Sequence, residues 1–155
     1  MGVIIRKGTE ADIEQTLGLV KELADYEKAS QEVEVTPEEM LAWGFGEDKQ
    51  FDFFVAEDNK LIIGMALYYY KYSTWKGKCL FLEDIIVTQT ERSKGIGKLL
   101  FEQVALIAKA EKVRRMEWQV LDWNEPAISF YEKYKTNFDA EWLNCKLTEK
   151  QLTEF

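Results

Sequence analysis

Two short stretches of this sequence carry side chains able to do chemistry. Glu83 and Asp84 stand side by side inside the otherwise apolar run from Cys79 to Val87. Carboxylates are costly to remove from water without a purpose, and a pair of them can take up a proton or hold a cation. Shortly afterwards, Arg92-Ser93-Lys94-Gly95-Ile96-Gly97-Lys98 sets two glycines among three cations, directly before a helical repeat. A helix N-terminus with a glycine approach offers bare N–H groups and about half a positive charge to a phosphate. The spacing is not that of a Walker A loop, which ends Gly-Lys-Ser or Gly-Lys-Thr. It is not the dinucleotide fingerprint either, which needs a third glycine where Leu100 stands. On these residues alone the segment is either a plain strand-to-helix turn or a phosphate cradle.

The elements that must position these groups follow from hydrophobic period and punctuation. Residues 3–8 read as a short strand. Thr9 and Asp12 resemble a capping box before a helix with Ile13, Leu17, Val20 and Leu23 at helical spacing. Thr36, Pro37 and Glu39 start a second, shorter helix that stops at Gly44-Phe45-Gly46. Residues 51–57 and 61–73, joined by a turn at Asp58-Asn59, read as a β-hairpin, and 79–87 as the next strand. After the glycines, Leu99, Leu100, Gln103, Val104, Ile107 and Ala108 mark a helix. Residues 114–123 read as a strand with Met116, Trp118 and Val120 alternating. Asn124 caps a helix over 125–134, with Pro126 in its first turn. Residues 137–147 read as a last strand. The order β, α, α, β, β, β, α, β, α, β predicts an α/β domain, a mixed sheet flanked by helices, spanning residues 1–155.

Composition bounds the reading. At 155 residues, 46% hydrophobic and 14% aromatic, the chain suits one soluble globule that buries roughly 70% of the surface its unfolded form exposes. No apolar run approaches the ~20 residues of a membrane span, the N-terminus has no long signal-type apolar stretch, and Arg6 stands where a myristoylation motif needs Ser or Thr. Cys79 and Cys145 stand apart, and there is no histidine; a zinc site would lack ligands, and a reduced cytoplasmic chain is expected. The net charge of −8 argues against bulk nucleic-acid binding and is compatible with a cationic substrate. Acids concentrate over residues 22–58, whereas Arg92, Lys94, Lys98, Lys109, Lys112, Arg114 and Arg115 gather about the glycine loop and its helix.

Against that background, Arg92-x-x-Gly95-x-Gly97 after an apolar strand resembles the acetyl-CoA pyrophosphate loop of the GNAT N-acetyltransferases. The segment from Asn124 to Phe130-Tyr131 resembles their second signature. Glu22-Leu23-Ala24-x-Tyr26-Glu27, Gly44-Phe45-Gly46-Glu47, Leu82-Glu83-Asp84 and Trp123-Asn124-Glu125-Pro126 resemble, more narrowly, the diamine and polyamine (spermidine/spermine) N-acetyltransferases and their thialysine-acetylating relatives. These blocks fall across residues 3–147. One departure concerns the glycine that usually ends the helix after Phe-Tyr. Tyr134-Lys135-Thr136 stands there instead, so another device must end it, with Asn137 in the left-handed conformation as the expectation.

The resemblance implies roles. Ile85, Ile86, Val87, Arg92, Ser93, Lys94, Gly95, Ile96, Gly97, Lys98, Asn124, Tyr131 and Lys133 would contact acetyl-CoA. The strand amides would line the pantetheine arm, and that of Ile85 or Ile86 would polarise the thioester carbonyl. Tyr26, Glu27, Trp75, Glu83 and Asp84 would hold a small cationic amine. An alkyl ammonium is neutral in only about one molecule in 2,500 at pH 7, a cost of roughly 4.6 kcal/mol. Without histidine the base must be a carboxylate working through water, and Glu83 takes that role by resemblance. Tyr131, a phenol still protonated at neutral pH, would be the acid for the departing sulfur. Adjacent residues of a regular strand face opposite sides, so Glu83 and Asp84 share a cleft only if the β-bulge of the family re-aims them. The reaction implied is acetyl transfer from acetyl-CoA to a diamine, polyamine or thialysine-like amine, without metal, in a cytoplasmic homodimer. A protein N-terminal or lysine acetyltransferase, or a CoA-binding module without catalysis, are the alternatives.

Overall fold

The computed structural model describes residues 2–155. Packing divides the chain into two compact units, the first ending at Gln119 and the second running from Val120 to Phe155. The first holds β1 (Ile4–Lys7), α1 (Ile13–Tyr26), α2 (Pro37–Phe45), β2 (Asp52–Asp58), β3 (Leu61–Ser73), β4 (Gly77–Val87), α3 (Ile96–Ala110) and β5 (Met116–Glu117). The five strands form one sheet in chain order, antiparallel from β1 to β4, with β5 parallel to β4.

Local chemistry explains most of these boundaries. Thr36 Oγ1 accepts from Glu39 N–H at 3.1 Å while the Glu39 carboxylate accepts from Thr36 N–H at 3.0 Å, so the expected capping box starts α2. Asp12 does more than cap. Its carboxylate accepts from Thr9 N–H at 2.7 Å and from both terminal nitrogens of Arg6 at 2.7 and 3.0 Å. The Arg6 guanidinium therefore holds Asp12 below the usual carboxylate range and ties β1 to the start of α1. The turn joining β2 to β3 falls one residue later than expected, at Asn59 and Lys60, whose positive φ values of 50° and 67° give the twist of a two-residue hairpin, while Asp58 still pairs with Leu61.

The sheet separates two apolar layers. Ile13, Leu17 and Leu19 of α1 and Met40 of α2 cluster with Phe53, Val55, Met65, Leu67 and Ile86 on one face. On the other, Gly64 lets α3 come close: a Cβ added there would lie 3.1 Å from Leu100 Cδ1. The buried stripe of α3 is Ile96, Leu100, Phe101, Val104 and Ala108. Leu99, expected on that stripe, is 48% exposed; Ile96 and Phe101 supply the apolar arc that a stripe centred on Leu100 requires.

Two expected strands differ. Of the expected 114–123 strand, Met116 and Glu117 pair with β4 at Leu80 and Phe81 and Arg114 and Arg115 share main-chain bonds with Lys78 and Leu80, whereas Trp118 meets the Phe101 ring edge-on at 5.2 Å. Residues 137–147 are not a strand. A strand exists through its ladder, none forms there among the described residues, and Trp142 next to Leu143 breaks the alternation. The second unit consists of α4 (Glu125–Glu132), the irregular 137–147 segment and a short α5 (Glu149–Leu152), which the sequence reading did not include. α4 ends through Lys135, at φ 57°, rather than through Asn137. Thr136 Oγ1 donates to Tyr131 O at 2.8 Å, satisfying one of the last carbonyls, which is the service glycine otherwise provides.

Candidate active site

The carboxylate pair is positioned by a break in register. Leu67 of β3 lies opposite Asp84, but Tyr68 lies opposite Leu82, so Glu83 is the extra residue of a β-bulge. Residues directly opposite one another in an antiparallel ladder share a face. Before the bulge Leu82 shares the face of Tyr68, on the α3 side; after it Asp84 shares that of Leu67 and Ile86 that of Met65, on the α1 side. Glu83 turns the same way. Its Oε1 accepts from Tyr69 Oη at 3.1 Å, and Tyr69 alternates with Tyr68 and so lies on the α1 face. The bulge thus brings both acids to one face, which a regular strand forbids.

At the end of α1, Glu27 is the cap residue, and Lys28 turns left-handed at φ 60° to stop the helix. The electrostatics join this end to the bulge. Burial, then the neighbouring charges of Glu83 and Glu27, push the Asp84 carboxyl up to about 7. Burial also raises the Glu27 carboxyl above its ordinary range. Tyr69 is pushed up to about 12 by burial and by Glu83, so it stays a donor at any physiological pH. A half-buried Asp84 that feels the charges of Glu27 and of the exposed Glu83 forms a site that gains from a bound cation.

Beyond the bulge, β5 no longer pairs with β4 among the described residues. Thr88 N–H donates to Ile63 O of β3 at 2.8 Å, and strand alternation then commits the Ile86 backbone to β3 as well. Ile85 and Val87 present theirs to the opposite, open edge. Of the two amides considered for polarising a carbonyl, that of Ile85 is therefore the one available. The Val87 carbonyl already accepts from Arg92 Nε at 2.9 Å.

The segment after β4 makes a single 3-10 turn (Gln89–Glu91), then passes through Ser93 at φ 66° and Gly95 at φ 83° before α3 begins at Ile96. A Cβ at Gly95 would meet nothing within 4 Å, and one at Gly97 only Val87 Cγ2, at 3.8 Å. Gly95 is explained by its left-handed backbone. Gly97 has no such backbone and no crowding, so the fold itself gives no reason for it. Lys94 pairs with Glu91 at 2.7 Å, and the Arg92 guanidinium sits 5.3 Å from the centre of the Tyr26 ring. Tyr26, Arg92, Glu22, Asp25 and Gln89 line an open pocket between the end of α1 and this loop.

The first unit therefore gathers Tyr26, Glu27, Glu83 and Asp84 with Ile85, Val87 and the loop from Arg92 to Lys98. Trp75 stands apart, 82% exposed at the tip of the β3–β4 hairpin, with roughly 20 Å of strand between Gly77 and Asp84. Asn124, Tyr131 and Lys133 belong to the second unit. There Asn124 Oδ1 caps α4 by accepting from Ala127 N–H at 3.4 Å, and Tyr131 is buried with its ring 5.3 Å from that of Phe130. Two residues with direct contacts to the site escaped the sequence reading. Tyr69 sits in the run Tyr68-Tyr69-Tyr70, which by itself singles out no one ring. Glu22, a helical turn before Tyr26 in the Glu22–Glu27 block, contacts the start of the glycine loop.

The family model described as "Acetyltransferase (GNAT) family" matches residues 18–135. The thialysine N-epsilon-acetyltransferase of Bos taurus is 38% identical over 138 residues, covering 84% of this chain and 81% of that protein. The spermidine/spermine N(1)-acetyltransferase-like protein 1 of Homo sapiens is 36% identical over 134 residues, covering 82% of this chain and 19% of that longer protein. Among solved structures, an aminoglycoside N-acetyltransferase in complex with CoA superposes with a TM-score of 0.74 at 19% identity, covering 94% of this chain and 95% of that one. The chain belongs to the GNAT acetyltransferase family and is an N-acetyltransferase.

Proposed function

We propose that this enzyme transfers the acetyl group of acetyl-CoA to a primary amine of a small cationic substrate, a diamine, polyamine or thialysine-like amino acid. The observation that carries the substrate class is the meeting of Glu27, Glu83 and Asp84 on one sheet face. Acetyl-CoA supplies the activated acetyl group. The open edge at Ile85 and Val87, the uncrowded glycines and the α3 N-terminus fit its arm and its pyrophosphate. Ser93, Lys94, Ile96 and Lys98 complete that loop in the proposal, with Asn124 and Lys133 assigned by family likeness.

The residues divide the remaining work. Asp84 and Glu27 hold the cation, beside Tyr26. Glu83 draws the proton from the ammonium through water, held in orientation by Tyr69, and the Ile85 N–H stabilises negative charge on the carbonyl oxygen. Tyr131 Oη, assigned by family likeness alone, would give a proton to the leaving group. Thiol release from acetyl-CoA across a panel of diamines, spermidine, spermine, lysine analogues and basic peptides tests the substrate class. Turnover confined to peptides would make this a protein acetyltransferase, and binding of CoA without turnover of any amine would leave a CoA-binding module.

Two variants probe single roles. Gly97→Ala keeps the fold, gaining up to about 1 kcal/mol of helix stability, but weakens CoA binding about tenfold if a ligand uses the space the missing Cβ leaves. Thermal unfolding with and without CoA reads both effects. Tyr131→Phe removes one oxygen, and turnover falls by about 10²-fold with CoA affinity little changed if Tyr131 is the acid. Near-normal turnover in the folded variant assigns that protonation to solvent.

We also propose a homodimer, by family likeness and because Trp142, Leu143 and Phe155 in the second unit are 72%, 87% and 95% exposed, large apolar side chains that association would bury. Sedimentation at micromolar concentration showing only an 18.1 kDa species would overturn it.

A further inference from the structure

Glu22 projects from α1 to the segment that leads from β4 into the glycine loop. Its carboxylate accepts from Thr88 Oγ1 at 3.2 and 3.0 Å and from Gln89 N–H at 2.9 Å. It also lies 3.9 Å from Arg92 Nη2. The 3-10 turn at Gln89–Glu91 has Thr88 in its N-cap position, yet Thr88 provides no side-chain cap. Its hydroxyl donates to Glu22, and the Glu22 carboxylate takes the orphan N–H of Gln89 that a cap would otherwise satisfy. The cap of this turn is thus supplied from another element.

The loop needs such a tether. It carries two left-handed residues, Ser93 and Gly95, and for Ser93 that backbone is strained. Arg92, at the centre of the segment, is fixed on three sides: by Val87 O through Nε, by the Tyr26 ring and by Glu22. Asp25 lines the same pocket but is engaged by Ser30 Oγ within its own segment. Glu22 is therefore the carboxylate of that pocket that reaches the loop.

We infer that Glu22 is a positioning residue that preorganises the pyrophosphate loop, clamping Thr88, Gln89 and Arg92 against the end of α1. The inference rests on the reading of that loop as the CoA-phosphate cradle. A preorganised loop avoids ordering its backbone at the moment of binding, so the effect belongs in CoA affinity rather than in amine recognition.

The test is isothermal titration of the full chain with CoA, together with KM for acetyl-CoA and for the best amine. Glu22→Ala is expected to weaken CoA binding about tenfold, with the rise in KM concentrated in acetyl-CoA. Glu22→Gln retains an oxygen that can accept from both Thr88 and Gln89, so it should recover most of the affinity. Should Glu22→Ala not fold, Thr88→Val, which removes one partner and keeps shape, is expected to weaken CoA binding about threefold. Asp25→Asn serves as the control and should leave the CoA titration unchanged. CoA affinity equal to wild type in folded Glu22→Ala, or in Thr88→Val, overturns the inference, as does an equal rise in both KM values. A wild-type chain that binds neither CoA nor 3′,5′-ADP would instead overturn the cradle reading itself.

Discussion

Asp84→Asn is expected to make the protein more stable and the enzyme far worse. The Asp84 carboxyl titrates at about 7 in the folded chain, against an ordinary 3.8, because of burial first and then the charges of Glu83 and Glu27. A raised carboxyl pKa means that the folded state favours the neutral form. Stability from this group is therefore full below pH ~4 and lost as pH rises towards 7. Asparagine has no such titration. Its advantage over the parent should be small at pH 4 and reach on the order of 2 kcal/mol above pH 7, a figure discounted from the full shift for partial exposure. Catalysis moves the other way. A bound ammonium neutralises the carboxylate, so amine binding below pH 7 displaces a proton, and the amine KM of the parent should fall between pH 6 and 8. Without the carboxylate, kcat/KM for the amine should drop by about 10³-fold, mostly in KM, with that pH dependence gone. Denaturant melts at pH 5 and 8, set beside amine KM at the same values, read both halves. An asparagine variant no more stable at pH 8 than at pH 5, relative to the parent, would remove Asp84 from the list of strained acids.

The way this site came to be legible follows the range of the forces involved. Signals within a few residues were readable: the Thr36–Glu39 box, the β2–β3 turn, Asn124 at the start of α4, and the glycines between a strand and a helix. The family resemblance carried the bulge, which adjacent acids in an apolar strand made necessary. What was not readable depends on distant partners. Tyr69 reaches Glu83 across 14 positions and Glu22 reaches Gln89 across 67, and neither spacing leaves a period in the sequence. The expected last strand failed for the same reason. Residues 137–147 have strand-like composition, but pairing is a property of the neighbour. Leu99 shows the limit of a helical period read alone, since the face that is buried depends on where the sheet lies. Lys135 shows that a left-handed helix stop can be filled by a residue with a Cβ when a side-chain bond, here Thr136 to the Tyr131 carbonyl, helps to hold the turn.

Glu83→Gln is expected to lower kcat by about 10³-fold at pH 7, within the usual range for loss of a positioned base. The substitution is nearly isosteric, and the amide oxygen can still accept from Tyr69 Oη, so the bulge and its neighbours should persist. What is lost is the ability to take a proton. Tyr69 cannot substitute for it, because burial and the Glu83 charge push that phenol up to about 12, leaving it protonated throughout the working range. The defect should shrink as pH rises from 7 towards 10, since the free amine grows about tenfold per unit until its own pKa. This separates the two acids: the Asp84 variant fails chiefly in amine KM, the Glu83 variant in kcat, and only the latter is rescued by alkali. A Glu83→Gln defect of constant size from pH 7 to 9.5 would show that Glu83 holds the cation as Asp84 does. Solvent would then be left to carry the proton, and the Ile85 amide would be the main contribution of the first unit to lowering the barrier.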